Sequence, residues 1–169
     1  MRSRPIILAL LSVAPSILPA QSDSERRQWL AEHSVPIRST SISDTDFADL
    51  APIGRAIGSR RIVLLGEQGH GDGATFEAKA RLIRYLHEKL GFDLVVFESG
   101  FYECRRTWAD ARRGPSLADS AANCMFELWS NSQQVRPLLA YMDSARTSAR
   151  PLELAGMDEL YDLQADPFE

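Results

Sequence analysis

The sequence predicts an α/β fold: a mostly parallel sheet with helices on both faces. Two short continuous apolar runs, Ile62-Val63-Leu64-Leu65 and Leu94-Val95-Val96-Phe97, have the length and uniformity of strands covered on both sides. Between them lies one amphipathic helical stretch ending at a glycine, and two buried strands joined by such a crossover form a right-handed βαβ unit.

The chain has 169 residues, and its first twenty read as an export signal rather than as part of the fold. Met1 to Arg4 is short and basic, Ile6 to Leu18 is mostly apolar with two prolines, and Pro19-Ala20 offers a small residue for cleavage before Gln21. The apolar run is too short and too broken by proline to span a bilayer comfortably. The expected division is therefore a signal peptide over 1–20, an N-terminal helical segment over 21–58, and the N-terminal part of an α/β hydrolytic domain over 59–169. The product is expected in the periplasm or outside the cell.

In the helical segment, Ser24 to His33 forms a polar helix with Trp29 and Leu30 as its anchor, and a loop rich in Ser, Thr and Asp follows to about Asp46. Pro52 suits the first position of a helix that Gly58 can end, with Ile53 and Ile57 on one face. The crossover helix is the clearest element: Phe76, Ala80, Ile83 and Leu90 recur at helical spacing, Leu82 and Leu86 widen the stripe, and Gly91 suits the left-handed stop. Further helices are expected over Ser116 to Leu128 and Gln133 to Thr147, with Ser132 as a cap. Leu152-Glu153-Leu154-Ala155 reads as a third strand, ending at Gly156-Met157-Asp158. Three parallel strands leave an open sheet edge that further chain is expected to cover, so the domain reads as incomplete.

Ligands of open parallel sheets sit outside the carboxyl ends of the strands. The three strands end at Glu67, Glu98 and Asp158, which projects three acids from one edge. His70 leaves the first strand framed by Gly66, Gly69, Gly71 and Gly73, which let the backbone turn tightly and approach a ligand. A histidine held by carboxylates keeps one tautomer and can take a proton from water at neutral pH. Taken singly, a loop histidine is ordinarily solvated, and an acid at a strand end ordinarily caps the next helix. Three such acids around one glycine-framed histidine favour a site. His33 and His87 lack that context.

Two other chemistries use the same residues. Gly69-x-Gly71-x-x-Ala74 matches a dinucleotide fingerprint with Glu98 in the ribose position, but its first glycine comes late and Glu67 would repel a pyrophosphate. Glu67, His70 and Glu98 would make three metal ligands, but only one histidine is well placed and no cysteine is near it in sequence, so no metal or other cofactor is expected. The net charge of -4 and the lack of a basic face argue against nucleic acid, and no amphipathic basic stretch argues for a membrane surface. Cys104 and Cys124 either join, for a contribution of about 3 kcal/mol, or stay as buried free thiols.

At these residues the sequence resembles the erythromycin esterase family, hydrolases that open the lactone ring of macrolide antibiotics. The resemblance rests on Gly66-Glu67-Gln68-Gly69-His70-Gly71, on the helix core Arg81 to Leu86, on Gly91-Phe92, on Phe97-Glu98-Ser99 and on Gly156-Met157-Asp158, and runs from about Trp29 onward. It implies that His70 is the general base for water, that Glu67 and Glu98 are acids that position it, and that the ligand is a small-molecule ester, with Asp158 on the substrate side. Family members are about twice as long and draw a further histidine and a helical lid from their second half. The fold is shared with haem-binding lipoproteins of the ChaN type, so a non-catalytic haem- or metal-binding role is the alternative implied.

Overall fold

The computed structural model describes residues 22–158. The expected signal peptide over 1–20 lies outside the described residues. The chain parts into two compact units at 34/35.

The first unit holds α1, Asp23–His33. Ser22 caps it in a capping box with Glu25, and none of its residues is buried. Within it Trp29 stacks on His33, whose Nδ1 meets the carbonyl of Trp29 at 2.8 Å.

The second unit opens with a 3-10 turn at Ala48–Leu50 and α2, Ala51–Ile57, in which Pro52 takes the second position rather than the expected first and Gly58 follows the last residue. Phe47, Leu50 and Ile57 pack on Tyr85 and Leu86 of α3, Gly73–Leu90, in one apolar cluster. Beneath that cluster Arg81, 1% exposed, donates to Asp49 Oδ1 and Oδ2 at 2.8 and 2.9 Å and to the carbonyls of Ser39, Asp44 and Asp46. A guanidinium can be buried here because its donors are met by a carboxylate and three carbonyls. Asp72 caps α3 by accepting from Ala74 and Thr75, and Gly91 ends it in the left-handed conformation.

β1, Leu94–Gly100, follows and runs directly into α4, Phe101–Ala111. The short helices α5, Leu117–Ser120, and α6, Glu127–Ser130, flank a 3-10 turn at Ala121–Asn123; α7, Arg136–Ala145, then leads to β2, Glu153–Asp158. Asp143 of α7 accepts from the backbone of Leu117 and Ala118, so one helix caps the start of another. β1 and β2 pair in parallel. Their inward residues join α3, α4 and α7 in the main core, with Leu139, Met142, Leu152 and Leu154 almost wholly buried.

Four expectations need correction. Residues 62–65 join no ladder, and Ile62 and Leu64 are 78% and 89% exposed rather than covered. The described sheet has two strands, because β1 finds a hydrogen-bonding partner only in β2. Leu94, Val96 and Met157 are likewise exposed among the described residues. The stretch expected as one helix from Ser116 to Leu128 is two single turns around a 3-10 turn, and the next helix is shorter than Gln133 to Thr147, since Ser132 Oγ draws the backbone of Gln134 and Val135 into a turn first. The α4 helix was unforeseen. Cys104 on α4 and Cys124 after the 3-10 turn form a disulfide, with Cα atoms 4.8 Å apart.

Candidate active site

Glu67 and His70 come together as the sequence predicts. His70 Nδ1 lies 2.6 Å from Glu67 Oε1, and Lys79 Nζ donates to the other carboxylate oxygen at 2.6 Å. Directly after His70 the chain passes through Gly71 at φ 95°, the one glycine of the four with positive φ. Val63, Leu65 and Glu67 are the less exposed residues of 62–67, and Glu67 turns toward Lys79 of α3.

The side chain of Glu67 is 14% exposed, and that of His70 62%. Lys79 first, and His70 second, hold the Glu67 carboxyl below its ordinary value of 4.5, against burial, which raises it. Glu67 is thus an anion that only accepts, so His70 Nδ1 donates to it. Nε2 of the same ring faces no protein partner among the described residues.

Two residues outside the sequence expectation belong to this cluster. Lys79 lies within the apolar stripe of α3, between Phe76 and Ala80, and a cation on a buried stripe signals a buried partner. The indole of Trp129, on α6, meets the His70 ring edge-on, with centroids 6.0 Å apart and planes at 87°. Phe97 and Phe126 each stand 5.9 Å from the same indole.

Glu98 and Asp158 stand where expected, at the carboxyl ends of β1 and β2, but neither bonds to Glu67 or His70. Among the described residues their carboxylates make no hydrogen bond or ion pair. The ladder slips between Phe97 and Gly100: Glu98 and Ser99 together face one residue, Met157, of β2. Such a bulge re-aims the side chains it carries. What links Glu98 to the histidine is its neighbour Phe97, through Trp129.

The other histidine of this unit is occupied. His87, 6% exposed, donates from Nε2 to the carbonyl of Arg150 at 3.0 Å, so Nδ1 accepts from the Tyr141 hydroxyl at 2.6 Å. Burial pushes that hydroxyl up to about 12. Among the described residues no group of three or more His, Cys, Asp and Glu side chains gathers closely enough to hold a metal ion, and no helix is long and apolar enough to cross a membrane.

Two grooves border these elements. One, of about 340 Å³, runs beside Lys79 and Gly66 and is lined by Ile37, Leu50, Ile53 and Leu82. The larger, about 530 Å³, follows α4 from Tyr102 to Asp110 and includes neither Glu67 nor His70.

No family model matches the chain. Over 157 residues it is 29% identical to the putative hydrolase YbfO of Bacillus subtilis (strain 168), covering 91% of this chain and 34% of that one. Over 76 residues it is 33% identical to the erythromycin esterase type II of Escherichia coli, covering 45% of this chain and 18% of the esterase. Two solved structures share the fold over 82% of this chain: a Bacillus cereus protein at TM-score 0.70 and 23% identity, and a succinoglycan biosynthesis protein at 0.69 and 20%. The chain covers 34% and 36% of their lengths. It thus spans about a third of the length of the first curated relative, and its sequence likeness is to proteins named as hydrolases.

Proposed function

We propose that this chain carries the general-base part of a hydrolytic site acting on an ester or lactone. The observation that carries the reading is the chain of contacts from Lys79 to Glu67 to His70 Nδ1, each 2.6 Å long. It fixes one imidazole tautomer and leaves Nε2 as a base facing solvent. Water placed at Nε2 loses a proton to it as the oxygen attacks the ester carbonyl carbon. Glu67 then stabilises the imidazolium, which returns the proton to the leaving alkoxide, and no covalent intermediate forms on the protein. Glu98, re-aimed by the bulge, and Asp158 stand on the substrate side of the same edge. The apolar groove beside Lys79 offers cover for the hydrocarbon part of a substrate. Similarity to an erythromycin esterase makes a macrolide lactone the first substrate to try.

The test compares wild type with His70→Ala on a macrolide and on a simple aryl ester. We expect turnover to fall on the order of a hundred- to ten-thousandfold with an unchanged circular dichroism spectrum. Undiminished hydrolysis by the variant would refute the base.

A further inference from the structure

We infer that Trp129 is a positioning residue for His70, an inference that rests on the reading of His70 as the base. The imidazole is mostly exposed and is tethered by one hydrogen bond, from Nδ1 to Glu67. A ring held at one atom can swing about that bond. Once Nδ1 leaves the carboxylate, the proton is free to move to Nε2, which removes the lone pair that a base needs.

Trp129 closes one side of that swing. Its near-perpendicular contact with the imidazole is a favourable edge-to-face geometry. The indole itself cannot follow the ring. It is 7% exposed, sits in the main core, and is gripped between Phe97 of β1 and Phe126. Phe97 immediately precedes Glu98, so the same indole keeps the histidine turn in register with the strand end that carries the second acid. The disulfide at Cys124 fixes the start of the segment that leads into α6. A glycine-rich turn thereby borrows its rigidity from the core.

The test uses Trp129→Phe, which keeps an aromatic edge, and Trp129→Leu, which keeps apolar cover without one. The tautomer of His70 is read at neutral pH from nitrogen-proton correlation spectra of the ¹⁵N-labelled protein, alongside kcat and KM on an aryl ester. Wild type and Trp129→Phe should show the Nδ1–H form. Trp129→Leu should show a mixture of tautomers, with kcat lower by about threefold to tenfold and KM changed less than about twofold. A wild-type tautomer signal in Trp129→Leu would overturn the inference, as would equal disturbance in both variants, which would mark a packing effect alone. The spectra decide the matter even where turnover is absent. If the tautomer shifts in Trp129→Leu while His70→Ala still hydrolyses the ester, positioning stands and the assignment of the base falls.

Discussion

Replacing Lys79 by methionine preserves an unbranched apolar stem and removes the charge. Lys79 Nζ stands 2.6 Å from Glu67, and the two side chains are 19% and 14% exposed. A hydrogen bond to a charged group contributes about 1.5–3 kcal/mol, and stripping one partner from a fully buried pair costs about 3–5 kcal/mol. With both ends partly wet, the expected loss is about 2 kcal/mol. For a domain of this size that lowers Tm by roughly 4–8 °C. The pH dependence carries a second signature. Because the folded Glu67 carboxyl is held below its unfolded value near 4.5, it adds stability above that pH and loses it as the pH falls through the lower folded value. Lys79 is the largest cause of the lowering, so the methionine variant should lose less stability between neutral and acid conditions than wild type does. Urea unfolding of both proteins at about pH 7 and pH 3.5 measures the two effects together, and Lys79→Arg should restore most of each. Equal stability of Lys79→Met and wild type at pH 7, with equal acid slopes, would show that Lys79 does not hold Glu67 in solution. The histidine would then lack the anchored partner on which the proposed base depends.

Two further outcomes are expected. Replacing both Cys104 and Cys124 by alanine opens a crosslink across 20 positions and should lower unfolding stability by about 3 kcal/mol under non-reducing conditions; an unchanged urea midpoint would refute this. If residues 1–20 are an export signal, as their basic start, apolar centre and small residues before Gln21 suggest, the protein made in a cell should begin near Gln21; N-terminal sequencing that finds Met1 intact would refute this.

The parts legible in the sequence are those in which a local period meets a local stop. The α3 stripe with Gly91 behind it, Pro52 at the start of α2, and the strands at 94 and 153 all have this form. Residues 62–65 show the limit of that reading. An apolar run reports that a segment tends to be covered, but a strand exists only through its partner, and nothing local names the partner. The α4 helix buries Cys104, Thr107, Trp108 and Ala111 at helical spacing, but the charges and aromatics between them hide that stripe in the sequence. At the site, Glu67 and His70 are three residues apart and a turn suffices to join them. Lys79 reaches Glu67 from 12 positions away and Trp129 reaches His70 from 59, through contacts that only tertiary packing creates. The disulfide was undecidable for a related reason, since the spacing of two cysteines does not fix the distance between their Cα atoms.

Gly156 has a consequence for how this site can change. A Cβ placed there would overlap the backbone oxygens of Ser99 and Gly100, so β2 presses main chain against main chain beside the bulge that bears Glu98. A single methyl group would act there as a wedge between the strands. The spacing of the two acidic strand ends is therefore fixed by backbone contact and not by the fit of side chains around them. Helices and loops that border the edge can vary in sequence without moving the acids, which separates the chemistry of such a site from the shape of whatever it accepts.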